Sequence, residues 1–202
     1  LTYGQASNTV PRWSPNGRHI AFLSDREGEA KNLYVMRRDG GEAWPLTDGE
    51  KSIQHFVWSP DGSHLAFTMP APDDEQKEAD KEAKNDPILW DIDHDRARLW
   101  VAPLVTGGDE PEEPRMLTGD DRHVVDMDWA ADGRRIVFAH QPTPVADDWK
   151  EMTLSAVAFG ESADGDESLP DPEQLGYLAS NVPSPRVHDG WVACIAGVEP
   201  PT

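Results

Sequence analysis

Trp13-Ser14-Pro15-Asn16-Gly17 is the first of three copies of one short phrase in this chain. The second copy is Trp58-Ser59-Pro60-Asp61-Gly62, and the third, less well preserved, is Trp129-Ala130-Ala131-Asp132-Gly133. Each copy is followed by a short apolar run, over residues 19–23, 64–68 and 135–139. A phrase that returns at blade-like intervals, roughly every 40–50 residues, is typical of a repeat architecture.

The phrase itself predicts a tight hairpin turn. Proline presets φ at the second turn position, Asn or Asp tolerates the left-handed region, and glycine accepts a positive φ without strain. We expect a bulge at the glycine, one strand before each turn and an antiparallel strand after it. The residues assigned to these structural repeat turns are Pro15, Asn16, Gly17, Pro60, Asp61, Gly62, Asp132 and Gly133.

Two further strands complete each repeat unit. In the first unit a strand-like run over 32–36 is followed by a glycine turn and a short strand over 43–47, and residues 98–104 and 115–118 repeat this order. The unbroken apolar run 20–23 suits a strand covered on both faces, as in a propeller blade between two neighbours. The sequence therefore predicts an all-β fold, a partial β-propeller of three to four four-stranded antiparallel blades with charged insertions.

The spacing of the turns sets the expected blade boundaries. Blade 1 spans about 9–49, and blade 2 about 53–120 with an insertion over 70–97. Blade 3 spans about 123–160 and is followed by an acidic loop over 160–184, after which 185–202 begins a fourth blade. Because a closed ring needs roughly 4–8 blades, we expect an incomplete propeller that forms part of a larger protein.

Composition excludes several kinds of partner. The chain has 38 acidic and 18 basic residues, a net charge of −20, which argues against nucleic acid and anionic membrane. A solvated acidic surface explains this charge, although it would also favour cationic substrates. No run reaches the roughly 18 apolar residues of a membrane span, and none resembles a signal peptide. The single cysteine, Cys194, excludes an internal disulfide and is interpreted as a small buried apolar residue.

No stretch of the sequence matches a known catalytic or metal-binding motif in full. Opposite charges three or four apart over 73–84 predict a solvated helix or a disordered tract. The stretch 91–95 resembles a calcium loop, but Arg96 and Ala102 occupy the positions of its glycine and bidentate glutamate, so an acidic loop contacting a neighbouring domain fits better. The stretch 160–164 lacks the last glycine of a nucleophile elbow. We therefore assign no catalytic, cofactor-binding or metal-binding residue.

The complete unit resembles the propeller repeats of two groups of proteins. It combines Trp-Ser-Pro-Asp-Gly-x-x-Ile-Ala-Phe with Asn-Leu-Tyr-Val-Met and Pro-Leu-Thr-Asp-Gly. One group is the prolyl-oligopeptidase family of serine peptidases, in its acylaminoacyl-peptidase and dipeptidyl-peptidase branches; the other is the TolB-like, WD-type propeller. Residues 10–140 carry nearly all of the resemblance. The stretch 11–26 and the charged insertion before Leu99-Trp100-Val101 are most similar to acylaminoacyl peptidases.

The resemblance to the peptidases implies a role in substrate gating and docking. In that family the propeller covers a C-terminal α/β-hydrolase domain with a Ser-Asp-His triad, which is not present in this chain, so the 202 residues alone would be inactive. It implies peptide substrates, a cytoplasmic protein, no cofactor, and leaves a homo-oligomer open. The adjacent pair Glu112-Glu113 lies in a loop between outer strands, a poor match to the amine-binding glutamates of dipeptidyl peptidases. The alternative is a non-enzymatic TolB-like propeller that binds a protein or peptide.

Overall fold

The computed structural model describes residues 6–73, 95–105, 110–160, 169–178, 184–188 and 190–194. Over these residues the chain forms antiparallel sheets, and its helical part is a single 3₁₀ segment at Ala146–Glu151. The all-β, partial-propeller fold predicted from the sequence is confirmed.

Each blade is a four-stranded meander in which every strand pairs with the next one along the chain. Blade 1 consists of β1 (Asn8–Trp13), β2 (His19–Ser24), β3 (Asn32–Arg37) and β4 (Trp44–Pro45). Blade 2 consists of β5 (His55–Trp58), β6 (His64–Pro70), β7 (Ala97–Pro103) and β8 (Arg115–Met116). Blade 3 consists of β9 (His123–Trp129), β10 (Arg135–Gln141), β11 (Thr153–Ala158) and β12 (Glu173–Tyr177).

A two-stranded hairpin follows blade 3, in the region where the sequence predicts the start of a fourth blade. Its strands are β13 (Arg186–His188) and β14 (Trp191–Ala193), and Gly190, just before β14, has φ +81°. The hairpin packs against blade 3: Val187 and Val192 contact the apolar cluster of that blade, and the Val187 N–H donates to Asp128 Oδ2 at 2.9 Å.

The core consists of apolar layers between successive blades. In β6, Leu65 and Phe67 join the cluster between blades 1 and 2, whereas Ala66, between them in sequence, joins the cluster between blades 2 and 3. All three side chains are fully buried. Because neighbouring residues of a strand point to opposite faces, these unbroken apolar runs are covered on both sides, as the sequence predicted.

The last strand of blade 3 corrects the sequence-based boundaries. Residues 160–184 were expected to form an acidic loop after the blade, but Glu173–Tyr177 within them is β12, which pairs with β11. It is the outermost strand, so four of its five side chains are exposed and its sequence carries no apolar pattern. Backbone hydrogen bonds to β11 hold it in place instead. Blade 3 therefore extends to Tyr177.

The blade 2 insertion joins the second and third strands of its sheet. β6 and β7 pair without a break from His64 opposite Pro103 to Pro70 opposite Ala97. Residues 74–94, with the predicted charged helix or disordered tract and most of the calcium-like stretch, lie outside the described residues, as do 161–164 of the elbow-like stretch.

Candidate functional site

The three copies of the repeated phrase form the same turn at one end of their blades, which we call the turn face. In each turn the glycine N–H donates to the carbonyl three residues earlier, at 2.9 Å in all three cases. Gly17, Gly62 and Gly133 have φ of +65°, +72° and +67°, the left-handed region that glycine adopts without strain. The proline and Asn or Asp residues occupy the central turn positions, so the residues singled out from the sequence have structural roles.

In blade 2 a network of side-chain hydrogen bonds closes the turn. The Ser59 hydroxyl donates to Asp61 Oδ1 at 2.6 Å, and the main-chain N–H of Ser63 donates to the same oxygen at 2.9 Å. The His64 N–H in turn donates to Ser59 Oγ at 2.9 Å. The Ser59 hydroxyl, followed by the N–H and hydroxyl of Ser63, lowers the pKa of Asp61 to about 2 by stabilising its charged form.

Successive turns pack against each other along the turn face. A Cβ added to Gly62 would lie 3.5 Å from both Pro15 Cδ and Asn16 Nδ2, and one added to Gly133 would lie 3.9 Å from Pro60 Cδ. The proline of one turn therefore covers the glycine of the next. The three turns form a continuous row, and their polar side chains make hydrogen bonds within the turns.

The Glu112-Glu113 pair belongs to a connection between two strands of blade 2. Both side chains are exposed in the connection between β7 and β8, near the outer edge of blade 2.

The strand register brings together one histidine–serine pair that the sequence did not reveal. His140 Nε2 lies 2.9 Å from Ser155 Oγ across β10 and β11. Burial lowers the pKa of His140 to about 4, with a smaller contribution from Arg122, so its imidazole is neutral at pH 7. Ser155 is 1% exposed, which places its hydroxyl inside the blade and out of reach of a substrate. The pair is a buried structural hydrogen bond.

A cleft with a positive lining lies on the turn face of blade 1. It has a volume of about 260 Å³ and is lined by Arg18, His19, Arg37, Arg38 and Asp39. The pairing of β2 with β3 puts His19 opposite Arg37, and the Arg38 N–H donates to the Arg18 carbonyl at 2.9 Å. Burial first, then the charges of Arg37 and Arg18, lowers the pKa of His19 against the opposing effect of Asp39. We call this group of residues the arginine cleft.

The arginine cleft was missed at the level of sequence because its residues are far apart along the chain. Arg18 follows the first turn, whereas Arg37 and Arg38 come at the end of β3 and just after it. Only the register of the β2–β3 ladder joins them. A second cavity of about 420 Å³ adjoins it, sharing Arg37 and otherwise lined by residues 40–45.

The described ranges contain neither a metal-binding group nor a membrane-spanning helix. No three His, Cys, Asp or Glu side chains there are grouped as they would be to hold a metal ion. No helix in that part of the chain has the length and apolar character needed to cross a membrane. Cys194 was expected to be a small buried apolar residue; it is half-buried, packs against the apolar cluster of blade 3, and burial raises the pKa of its thiol.

Comparison with known proteins gives matches of two kinds. No family model matches the chain. A stretch of 47 residues is 60% identical to the uncharacterized peptidase YuxL of Bacillus subtilis, and it makes up 23% of this chain and 7% of that protein. The fold matches a putative TolB from Agrobacterium tumefaciens with a TM-score of 0.56 at 18% identity, covering 95% of this chain and 61% of that one.

Prolyl oligopeptidase B from Galerina marginata has the same fold over one part of its length. It matches with a TM-score of 0.55 at 16% identity, covering 85% of this chain and 23% of the peptidase. The chain therefore spans less than two thirds of each of these proteins. The resemblance to TolB-like and prolyl-oligopeptidase propellers is confirmed. At these identities the structural matches establish the fold.

Proposed function

We propose that this chain is the propeller part of a serine oligopeptidase, and that it gates and docks substrates for a hydrolase domain of the same protein. The observation that carries the proposal is the 47-residue stretch that is 60% identical to a protein named as a peptidase. The shared fold with prolyl oligopeptidase B supports it, because there too a propeller of this kind belongs to a much longer peptidase chain.

The described residues are consistent with a supporting rather than a catalytic role for this chain. The residues of the repeated phrase are used in turns, and the contact between His140 and Ser155 is buried within blade 3. We therefore propose that the catalytic residues lie in another part of the parent protein. Its substrates would be short peptides or acylated or dipeptidyl N-termini, and it would be cytoplasmic.

The test compares the 202-residue chain with the full reading frame that contains it. Both are assayed against acetyl-alanyl and glycyl-prolyl p-nitroanilides, and both are treated with a fluorophosphonate probe, which labels activated serines. We expect turnover and labelling of the longer protein and neither for the chain alone. Turnover by the chain alone would overturn the gating role, and an unlabelled, inactive longer protein would overturn the peptidase assignment.

Gating makes a further prediction about substrate size. The full-length protein should cleave a six-residue peptide and leave the same sequence uncut when it is embedded in a folded domain, because a propeller over the active site limits access. Equal cleavage of both substrates would contradict gating while leaving the peptidase assignment in place.

The second candidate function is that of a TolB-like propeller that binds a protein or peptide without catalysis. It is favoured by the match to the putative TolB, which covers 95% of this chain. A full reading frame that lacks a hydrolase domain and captures a peptide or protein partner would support it over the peptidase.

A further inference from the structure

The arginine cleft combines three guanidinium groups that have no partner among the described residues. Arg18, Arg37 and Arg38 make no side-chain hydrogen bond and no ion pair within that part of the chain. Asp39 is the one acidic residue in the lining. The cleft is therefore a local positive site in a chain whose net charge is −20.

Several other arginines of the described residues are engaged, whereas Arg134 and Arg135 of blade 3 also show no side-chain hydrogen bond or ion pair. Arg122 pairs with Asp121, and the Arg186 guanidinium lies 3.6 Å from Asp126. The Arg26 guanidinium lies 4.5 Å from the centre of the Tyr34 ring. Arg18, Arg37 and Arg38 are exposed to solvent, so water can satisfy their guanidinium groups. What distinguishes them is that all three line one cleft, in a sequence whose acidic residues outnumber the basic ones about twofold. Their combined positive field attracts an anion.

The form of the site favours a carboxylate carried by a peptide. Guanidinium groups bind carboxylates through paired, parallel hydrogen bonds. The adjoining cavity of about 420 Å³ is lined by residues 40–45, with Glu42 as its one acidic side chain, and shares Arg37 with the cleft. No atom lies within 4 Å of the positions that Cβ atoms of Gly40 and Gly41 would take, so the groove has room for the residues that flank a bound carboxylate.

A nucleic acid does not fit the same surface. The phosphates of a polyanion extend well beyond one cleft, and the remaining surface of a chain with net charge −20 would repel them. A single carboxylate needs only the local positive field.

We propose that the arginine cleft of blade 1 binds a peptide through one carboxylate, with the flanking residues of that peptide lying along the groove at Gly40–Pro45. The carboxylate can come from the C-terminus of the peptide or from an Asp or Glu side chain. The site belongs to blade 1 and does not depend on whether the parent protein is a peptidase.

The experiment measures binding of matched peptides to the 202-residue chain by isothermal titration calorimetry. One pair is acetyl-Gly-Ala-Glu-Ala-amide and its Gln counterpart; the other is acetyl-Ala-Ala-Ala with a free or an amidated C-terminus. Inorganic phosphate is the third probe. We expect at least one acidic peptide to bind about tenfold or more tightly than its neutral counterpart, and the pair that shows the difference identifies the source of the carboxylate.

Variants connect the binding to the cleft. The double variant Arg37→Gln/Arg38→Gln should lose the preference for the acidic peptide, and Arg38→Lys should retain only part of it, since lysine keeps the charge without the planar fork. Arg134→Gln is the matched control, because Arg134 follows the blade 3 turn as Arg18 follows that of blade 1. Near-ultraviolet circular dichroism verifies that each variant is folded.

Several outcomes would overturn the proposal. These are equal binding of acidic and neutral peptides, no binding of any peptide, binding of phosphate alone, or the same loss in Arg134→Gln as in the double variant. A second readout is the pKa of His19, followed by NMR. It should rise when the acidic peptide binds, because the carboxylate offsets the charges of Arg18 and Arg37 that now lower it. An unchanged value in the presence of saturating peptide would place the binding elsewhere.

Discussion

The turns of blades 2 and 3 share one backbone but differ in their side chains. The strand-closing hydrogen bond is 2.9 Å from Ser59 N to His64 O in blade 2, and 2.8 Å from Ala130 N to Arg135 O in blade 3. In blade 2 the Ser59 hydroxyl and the Asp61 carboxylate add side-chain hydrogen bonds. In blade 3 alanine replaces that serine, and Asp132 keeps a bond from the Arg134 N–H at 2.9 Å.

This difference separates the residues that set the shape of the turn from those that only stabilise it. A glycine in the left-handed region and an acidic residue before it are shared by both turns. The serine and the proline of blade 2 are absent from blade 3, yet the hydrogen-bonded backbone is the same. The comparison predicts the order of four kinds of substitution by their effect on the stability of the protein.

The largest effect is expected in the strands that follow the two turns. Phe67 in β6 and Phe138 in β10 occupy equivalent positions and are fully buried. Replacing either with alanine should lower the free energy of unfolding by about 3–5 kcal/mol, measured by urea denaturation. Tyr177→Ala, at a position that is 79% exposed, is the control and should change little. A much smaller loss for Phe138→Ala would show that blade 3 is less tightly packed than blade 2.

Alanine in place of the turn glycine should cost less than a core cavity. Gly62→Ala and Gly133→Ala each force a side chain into the left-handed region, which costs about 1–2 kcal/mol. The two losses should be similar, since the added Cβ would make only ordinary van der Waals contact with the preceding turn in both cases. Gly28→Ala is the control, because φ there is not in the left-handed region and no atom is within 4 Å. Equal stability of all three variants in thermal melts would contradict the role of φ.

Exchanging the serine between the turns should have opposite effects in the two blades. Ser59→Ala removes the hydroxyl that bridges Asp61 and His64 and should destabilise the protein by about 1 kcal/mol. Ala130→Ser offers the same hydroxyl to Asp132 and should stabilise it by up to about 1 kcal/mol. Chemical denaturation measures both changes. A destabilising Ala130→Ser would mean that the blade 3 turn cannot accept the network.

The smallest effect is a dependence on pH in the blade 2 turn. The pKa of Asp61 is lowered from 3.8 to about 2 in the folded protein, so its charged form stabilises the fold above about pH 4. This contribution falls as the pH drops from about 4 to 2. Because Asp61 is exposed, solvent screening keeps it below about 1 kcal/mol. The stability difference between wild type and Asp61→Asn should therefore be present at pH 6 and shrink toward pH 2.

The matched variant for the pH experiment is Asp132→Asn. The Asp132 carboxylate accepts one hydrogen bond, from the Arg134 N–H, so we expect its replacement to change stability less at pH 6. If the difference in the free energy of unfolding between wild type and Asp61→Asn grew as the pH fell, the charged form of Asp61 would not be the stabilising one.

Features fixed by neighbouring residues could be predicted from the sequence. The turn at 14–17 and the buried run in β2 each depend on a few adjacent residues, whose conformational preferences and apolar character act locally. β12 could not be predicted, because Glu173–Tyr177 is an outer strand with mostly exposed side chains and depends on backbone pairing with β11. A polar outer strand of this kind lacks the alternation of apolar and polar residues by which a strand is recognised in a sequence.

The arginine cleft could not be predicted for a different reason. Its members, Arg18 and the pair Arg37 and Arg38, become neighbours through the register of β2 and β3, in which His19 lies opposite Arg37. Sequence spacing alone does not give that register, because the length of the connecting loop has to be known to the residue. The same holds for the contact between His140 and Ser155.

The unbroken pairing of β6 with β7 makes the blade 2 insertion a suitable site for inserting a second protein or a tag. The chain leaves the sheet after Pro70 and returns at Ala97, which pair directly with each other. The exit and entry points are thus held side by side by the ladder, and lengthening a loop between fixed ends costs little entropy. A fluorescent protein or an affinity handle could be placed between them, and the blades on either side would serve as its scaffold.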